Sequence, residues 1–208
     1  MAHGSITLAV LVSGAGTTLQ NLIDAINRGE LDARIAIVIG SRPGLQALNR
    51  ATDAGIPTVV VDRRESTDVA AFSSRVFAHV DEAGVDLVCL AGWLCRVEVP
   101  WQYEHRVMNI HPSLLPALGG KGMYGLSVHQ AALGQGFRVS GCTVHFVDNE
   151  YDHGPVILQR VCEVKAADTP ESLAARVFEL ERGAYLEAIR LFANGRLSLS
   201  DGRVHVRT

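Results

Sequence analysis

The chain has 208 residues, 48% hydrophobic and 20% charged, with a net charge of −3. That is length for one substantial α/β domain or two small ones, and a composition that excludes disorder. No basic run offers a nucleic-acid surface, no apolar segment nears the ~20 residues that cross a bilayer, and no signal-peptide pattern opens the chain, so neither nucleic acid nor membrane is an expected partner.

Ile6 to Val12 is almost continuously apolar, as expected of a strand covered on both faces. Ser13-Gly14-Ala15-Gly16-Thr17-Thr18 follows, then a helix with Leu19, Leu22, Ile23 and Ile26 on one stripe. This turn reads either as a phosphate cradle, with close backbone approach at the glycines and a helix N-terminus for the anion, or as a tight turn with a Thr N-cap. It is neither GxGxxG nor a Walker loop. A second strand, Ala33 to Ile39, precedes a helix carrying Ala47, Leu48 and Ala51, and a third runs from Thr58 to Val61. Asp68 to Ala83 has helical spacing at Val69, Phe72, Val76 and Val80. Val85 to Leu90 is a fourth strand, and Trp93 to Tyr103 is mixed and cut by Pro100.

A fifth strand, Val107 to Ile110, runs into His111-Pro112-Ser113-Leu114-Leu115-Pro116 and stops there. Asn109 and His111 lie two residues apart, on one face of the strand at its carboxyl end, where ligands bind in open α/β sheets. An amide donor can hold a developing oxyanion and an imidazole can move protons near neutral pH. The same residues can also merely satisfy loop backbone. Alternating strands and helices at this spacing predict a mainly parallel, doubly wound sheet.

Beyond Pro116, residues 118–125 form a glycine-rich loop in which Lys121 reads as solvated. A short helix (Val128 to Leu133) precedes two antiparallel strands, Val139 to Val147 and Pro155 to Val164, joined by the acidic loop Asp148-Asn149-Glu150-Tyr151-Asp152-His153-Gly154. Asp152 is either the carboxylate for His111 or one more acid facing water. A long helix opens with Thr169 as N-cap and Pro170 at its first position, with a stripe of Leu173, Val177, Leu180, Ala184, Ala188 and Leu191. Glu181 sits at the stripe's edge. Residues 196–206 alternate around Asp201-Gly202 as a terminal hairpin. One domain over 1–208, with a core of about 6–195, is the simplest organisation. Cys89, Cys95, Cys142 and Cys162 are scattered without metal-ligand spacing, which fits a reduced, cytoplasmic setting and no metal.

Three of these motifs occur in one order: Ser13-Gly14-x-Gly16-Thr17-Thr18-Leu19-Gln20, Asn109-x-His111-Pro112-Ser113-Leu114-Leu115-Pro116, and Gly141-Cys142-Thr143-Val144-His145-Phe146-Val147 followed by Asp152-x-Gly154-Pro155. Together they resemble the folate-dependent formyltransferase family over roughly Ile6 to Gly195. The resemblance implies a Rossmann-like single-domain fold with antiparallel strands toward the C-terminus. It also implies an enzyme of purine biosynthesis that moves a formyl group from 10-formyltetrahydrofolate to the amino group of glycinamide ribonucleotide. Asn109, His111 and Asp152 match the family's catalytic positions. Gly16, Thr17, Thr18 and Glu181 match its ribonucleotide site. The folate side matches Leu94, Cys95, Arg96 and Val97, together with Asn109 and Asp148, Asn149, Glu150, Tyr151 and Asp152, with Arg64 (or Arg63) as the candidate arginine. His145 is expected to support the site. Small molecules are the implied partners, and the chain is expected as a monomer or homodimer.

Three features depart from the pattern: the loop between Pro116 and His129 is longer, Arg63 and Arg64 fall earlier in the chain than the family's folate arginine, and Cys95 and Trp93 stand where a basic residue and Phe are common. Two other readings stand beside this one, a 10-formyltetrahydrofolate deformylase-like hydrolase and a non-catalytic nucleotide-binding module. A tRNA-directed formyltransferase branch is disfavoured by the acidic net charge.

Overall fold

The computed structural model describes residues 5–207. They fall into two compact units that divide after Asn109. In the first, the apolar run near the N-terminus forms β1 (Ile6–Val12), buried along its length except at Thr7. It lies between β2 (Ala33–Gly40) and β4 (Leu87–Leu90), with β3 (Thr58–Val60) outside β2 and β5 (Val107–His111) outside β4, and all these neighbours pair in parallel. Parallel neighbours need crossovers, which α1 (Thr17–Asn27), α2 (Gln46–Asp53) and α3 (Val69–Ala83) supply.

The alternative reading of the turn, with a Thr N-cap for α1, gives way to Gly16, which holds φ 76° and offers no side-chain cap. The reason is steric. A Cβ on Gly16 would lie 2.6 Å from Ala47 Cβ and 2.8 Å from Ala47 Cα, so α2 leaves room only for glycine. α3 behaves as its spacing says: Phe72, Val76 and Val80 are buried, Asp68 caps the start by accepting from Ala71 N–H, and Gly84 ends it in the left-handed region. β4 begins two residues later than the apolar run because Asp86 is spent on β1, its carboxylate accepting from Thr7 N–H at 2.8 Å. Two short 3₁₀ turns, Arg63–Glu65 and Trp101–Tyr103, lacked any periodic signal.

In the second unit β6 (Val139–Phe146) and β7 (Val156–Glu163) pair antiparallel, with a register shift between Val144 and His145. β6 is buried at every position after Val139, because α5 (Pro170–Ala193) packs across it. α5 starts on a capping box between Thr169 and Ser172. Its buried face is wider than the predicted stripe: Tyr185, Leu186 and Ile189 join it, since the helix packs against α4 (Leu126–Gly134) as well as the strands. β8 (Leu197–Ser200) and β9 (Arg203–Val206) close a hairpin through Asp201 and Gly202, both at positive φ. No helix among the described residues is long and apolar enough to cross a membrane.

Candidate active site

Val107 and Met108 of β5 are fully buried, and the strand ends with Asn109 half-buried and His111 4% exposed. The following turn is braced on the antiparallel pair. Thr143 Oγ1 donates to Ser113 O (2.7 Å) and accepts from Leu115 N–H (3.0 Å), while Gln159 Nε2 donates to Leu115 O (3.0 Å). Ser113 Oγ adds a bond to Ala117 O. The carbonyls of Ser113, Leu115 and Ala117 thus each have a donor in a turn that cannot be helical, and these bonds brace the strand exit at His111.

His111 and Asp152 meet. His111 Nδ1 lies 3.5 Å from Asp152 Oδ1, and His111 Nε2 donates to Leu118 O at 2.9 Å. Both ring nitrogens therefore face acceptors. Asp152 sits at φ 53°, an uncommon conformation for a residue other than glycine, and its Oδ2 accepts from Gly120 N–H at 2.9 Å. Gly154 follows because nothing larger fits: a Cβ there would fall 2.0 Å from Phe146 O.

His145 adds a third member. The register shift in β6 re-aims this side chain, and its Nε2 lies 3.8 Å from Asp152 Oδ1. Its Nδ1 is 2.8 Å from Phe146 O, so that nitrogen carries the proton. Burial pushes the His145 pKa down, so the neutral ring is favoured. His129, buried on α4, is likewise pushed down, by burial first and then by His111. Sequence spacing gave His129 no role, and neither did it mark Leu118 and Gly120, whose contacts come from the backbone and have no residue-type signature. Glu181, on α5, is partly covered, and desolvation raises its carboxyl to about 7. Burial, and Glu181 after it, push the Cys142 thiol up to about 12, which makes that cysteine inert.

The remaining predicted residues of the acidic loop are surface groups. Asn149, Glu150 and Tyr151 are exposed, and Asp148 organises the loop by accepting from Glu150 N–H (2.8 Å) and pairing with His153 Nδ1 (2.7 Å), which raises the His153 pKa.

In the first unit Gly16 is buried, Thr17 exposed and Thr18 half-buried at the start of α1. Leu94 is exposed, Cys95 half-buried, Arg96 exposed and Val97 buried. That stretch is tied down by Leu94 N–H donating to Ser13 Oγ (3.0 Å) and Glu98 N–H donating to Ser73 Oγ (2.8 Å). Trp93 stacks on Phe72 with centroids 5.9 Å apart, and Arg63 lies over the other ring of the pair, 5.8 Å from the Phe72 centroid. Arg64 is not an idle cation: it forks onto Asp62, with Nη2 2.7 Å from Oδ2, and holds that carboxyl down to about 2. No cluster of three or more His, Cys, Asp or Glu side chains among the described residues is placed to hold a metal ion.

An Asn-x-His strand end with a carboxylate beside that histidine thus stands at the carboxyl end of β5. The chain belongs to the formyl transferase family, whose model matches residues 6–189. It is 40% identical to glycinamide ribonucleotide transformylase 1 from Symbiobacterium toebii, covering all of this chain and 96% of that one with a TM-score of 0.91. It is 38% identical over 198 residues to the trifunctional purine biosynthetic protein adenosine-3 of Gallus gallus, covering 94% of this chain and 19% of that protein. The chain thus spans about a fifth of the length of such trifunctional relatives. A formyltetrahydrofolate deformylase from Pseudomonas syringae shares the fold, with a TM-score of 0.85 over 98% of this chain and 66% of its own, at 24% identity.

Proposed function

We propose that the protein transfers the formyl group of 10-formyltetrahydrofolate to the amino group of glycinamide ribonucleotide, giving formylglycinamide ribonucleotide and tetrahydrofolate in purine biosynthesis. The observation that carries this reading is the His111–Asp152 pair at the end of the strand that bears Asn109. The substrate amine attacks the formyl carbon and the carbonyl oxygen becomes an oxyanion. Asn109 donates to that oxygen, joined by His111 Nε2–H once it leaves Leu118 O while Nδ1–H stays on Asp152, and a donor of this kind contributes roughly 3 kcal/mol to the transition state. Asp152 stabilises the imidazolium and passes the proton lost by the attacking nitrogen toward the departing folate nitrogen as the carbon–nitrogen bond breaks. His145, neutral and fixed by Phe146 O, supports the site as a buried strand residue and offers Asp152 no donor.

The amides of Gly16 to Thr18, at the uncapped start of α1, take the ribonucleotide phosphate and ribose, with the hydroxyls of Thr17 and Thr18 as added donors. Glu181 receives donors of the glycinamide. The folate meets Leu94, Cys95, Arg96 and Val97 as backbone edge and apolar wall, Asn109 near its formyl group, and the loop residues Asp148, Asn149, Glu150, Tyr151 and Asp152. Arg64 reaches the folate tail only by leaving Asp62. The protein works with small-molecule substrates in the cytoplasm, without a metal, as a monomer or homodimer.

The test is a spectrophotometric assay of 10-formyltetrahydrofolate consumption with and without glycinamide ribonucleotide. Tetrahydrofolate that forms only with the ribonucleotide supports transfer. Formate release that ignores the amine would mean a hydrolase, and inertness in both arms a binding module.

A further inference from the structure

The loop between β1 and α1 is pinned from one side. Ala47 N–H, at the start of α2, donates to Gly14 O at 3.3 Å, and Arg50 Nε donates to Ala15 O at 2.9 Å. The stem of Arg50 lies against Gly16, within 3.5 Å of where a Cβ would stand. Arg50 is itself held, since Nη1 donates to Gln20 Oε1 at 3.0 Å and Gln20 Nε2 donates to Asp24 Oδ1 at 2.9 Å, which fixes the Gln20 amide with its oxygen toward the guanidinium.

In a trans peptide the carbonyl and the following N–H point in opposite directions. With the carbonyls of Gly14 and Ala15 drawn toward α2, the N–H groups of Ala15 and Gly16 are turned to the opposite side, alongside the open amides at the start of α1. A guanidinium behind the loop also adds positive charge where an anion is bound, at a helix end with no side-chain cap of its own. We propose that Arg50 is a positioning residue for anion binding: it sets the Ala15–Gly16 peptide plane and so the affinity of the loop for the phosphate of the ribonucleotide. This rests on the phosphate-site reading of residues 16–18.

Arg50→Met keeps the stem on Gly16 and removes the donor fork. The KM and the calorimetric Kd for glycinamide ribonucleotide should rise about 10- to 100-fold, with the KM for 10-formyltetrahydrofolate and the Tm close to those of the parent. Arg50→Lys keeps the charge but cannot bond Ala15 O and Gln20 Oε1 together, and should recover only part of the loss. An unchanged ribonucleotide KM in Arg50→Met overturns the proposal. So does a loss shared by both KM values with a lowered Tm, which is what a merely structural arginine gives. Thr18→Val separates the underlying reading: if it too leaves the ribonucleotide KM unmoved, the phosphate site lies elsewhere and the proposal falls with it, whereas a Thr18 effect without an Arg50 effect condemns Arg50 alone.

Discussion

Gly120 and Asp152 are joined by a hydrogen bond from the Gly120 amide to Oδ2 at 2.9 Å, which leaves the other carboxylate oxygen facing His111. A backbone donor thereby divides the work of one carboxylate: one oxygen anchors it to the glycine-rich loop, and the other serves the imidazole. Leu118 O on His111 Nε2 comes from the same loop, so the backbone of two of its residues holds both members of the pair.

Gly119→Ala tests that arrangement. The added methyl would stand 2.5 Å from Leu115 Cδ2 and 3.2 Å from Asp152 Cβ. The leucine end can swing away, but the Asp152 contact displaces the carboxylate by a few tenths of an ångström. kcat should fall about 10- to 100-fold with a small change in Tm. Full activity in this variant would show that the loop does not position Asp152.

His111 and Asp152 should behave as one unit. Asp152→Asn preserves shape but removes the charge, and His111→Asn removes the proton carrier; each should cost about 10²- to 10⁴-fold in kcat. The double variant should be scarcely worse than either single one. Effects that multiply in the double-mutant cycle would separate the two roles.

Glu181 gives stability a pH dependence of known sign. Its carboxyl is raised by desolvation from 4.5 to about 7, so the folded state binds the proton more tightly than the unfolded chain. Stability from this group is therefore present below about 4.5 and is lost as pH rises toward 7, levelling off above, with a total of at most about 3 kcal/mol. Glu181→Gln lacks that slope. Melting curves from pH 4.5 to 8 should show the variant gaining on the parent as pH rises, and parallel profiles would mean that the carboxylate is well solvated.

Gly16→Ala should be among the more damaging single changes in the first unit. It forces a side chain into the left-handed region and into Ala47 Cα and Cβ, which belong to α2 and cannot rotate away. A loss of about 2–4 kcal/mol is expected from denaturant titration. Ala47→Gly in the same background should return part of it, because the closest clash is with the Ala47 methyl.

The amino-acid sequence by itself determined the elements and their class. Continuous apolar runs such as Ile6–Val12 point to strands covered on both faces, the spacing of Phe72, Val76 and Val80 points to α3, and the Thr169–Pro170 start to α5. The strand stop after His111 was equally legible, since two prolines cannot continue a ladder. These signals are local, carried by periodicity and by residues with restricted backbones.

Only the tertiary structure decided which partners those residues take. Asp152 read as readily as a surface acid, and its contact with His111 depends on a left-handed turn and on an amide 32 residues away. Arg64, named for the folate, is turned onto Asp62, while Arg50, which no motif marked, grips the Ala15 carbonyl 35 residues away. Glu181 owes its raised pKa to the atoms that cover it, which no neighbour in the chain specifies. The reason is common to all of these: every residue but proline carries the same N–H and every residue the same C=O, so contacts to backbone and the desolvation of a side chain leave no mark on residue type, and they come into being only when distant segments are packed together.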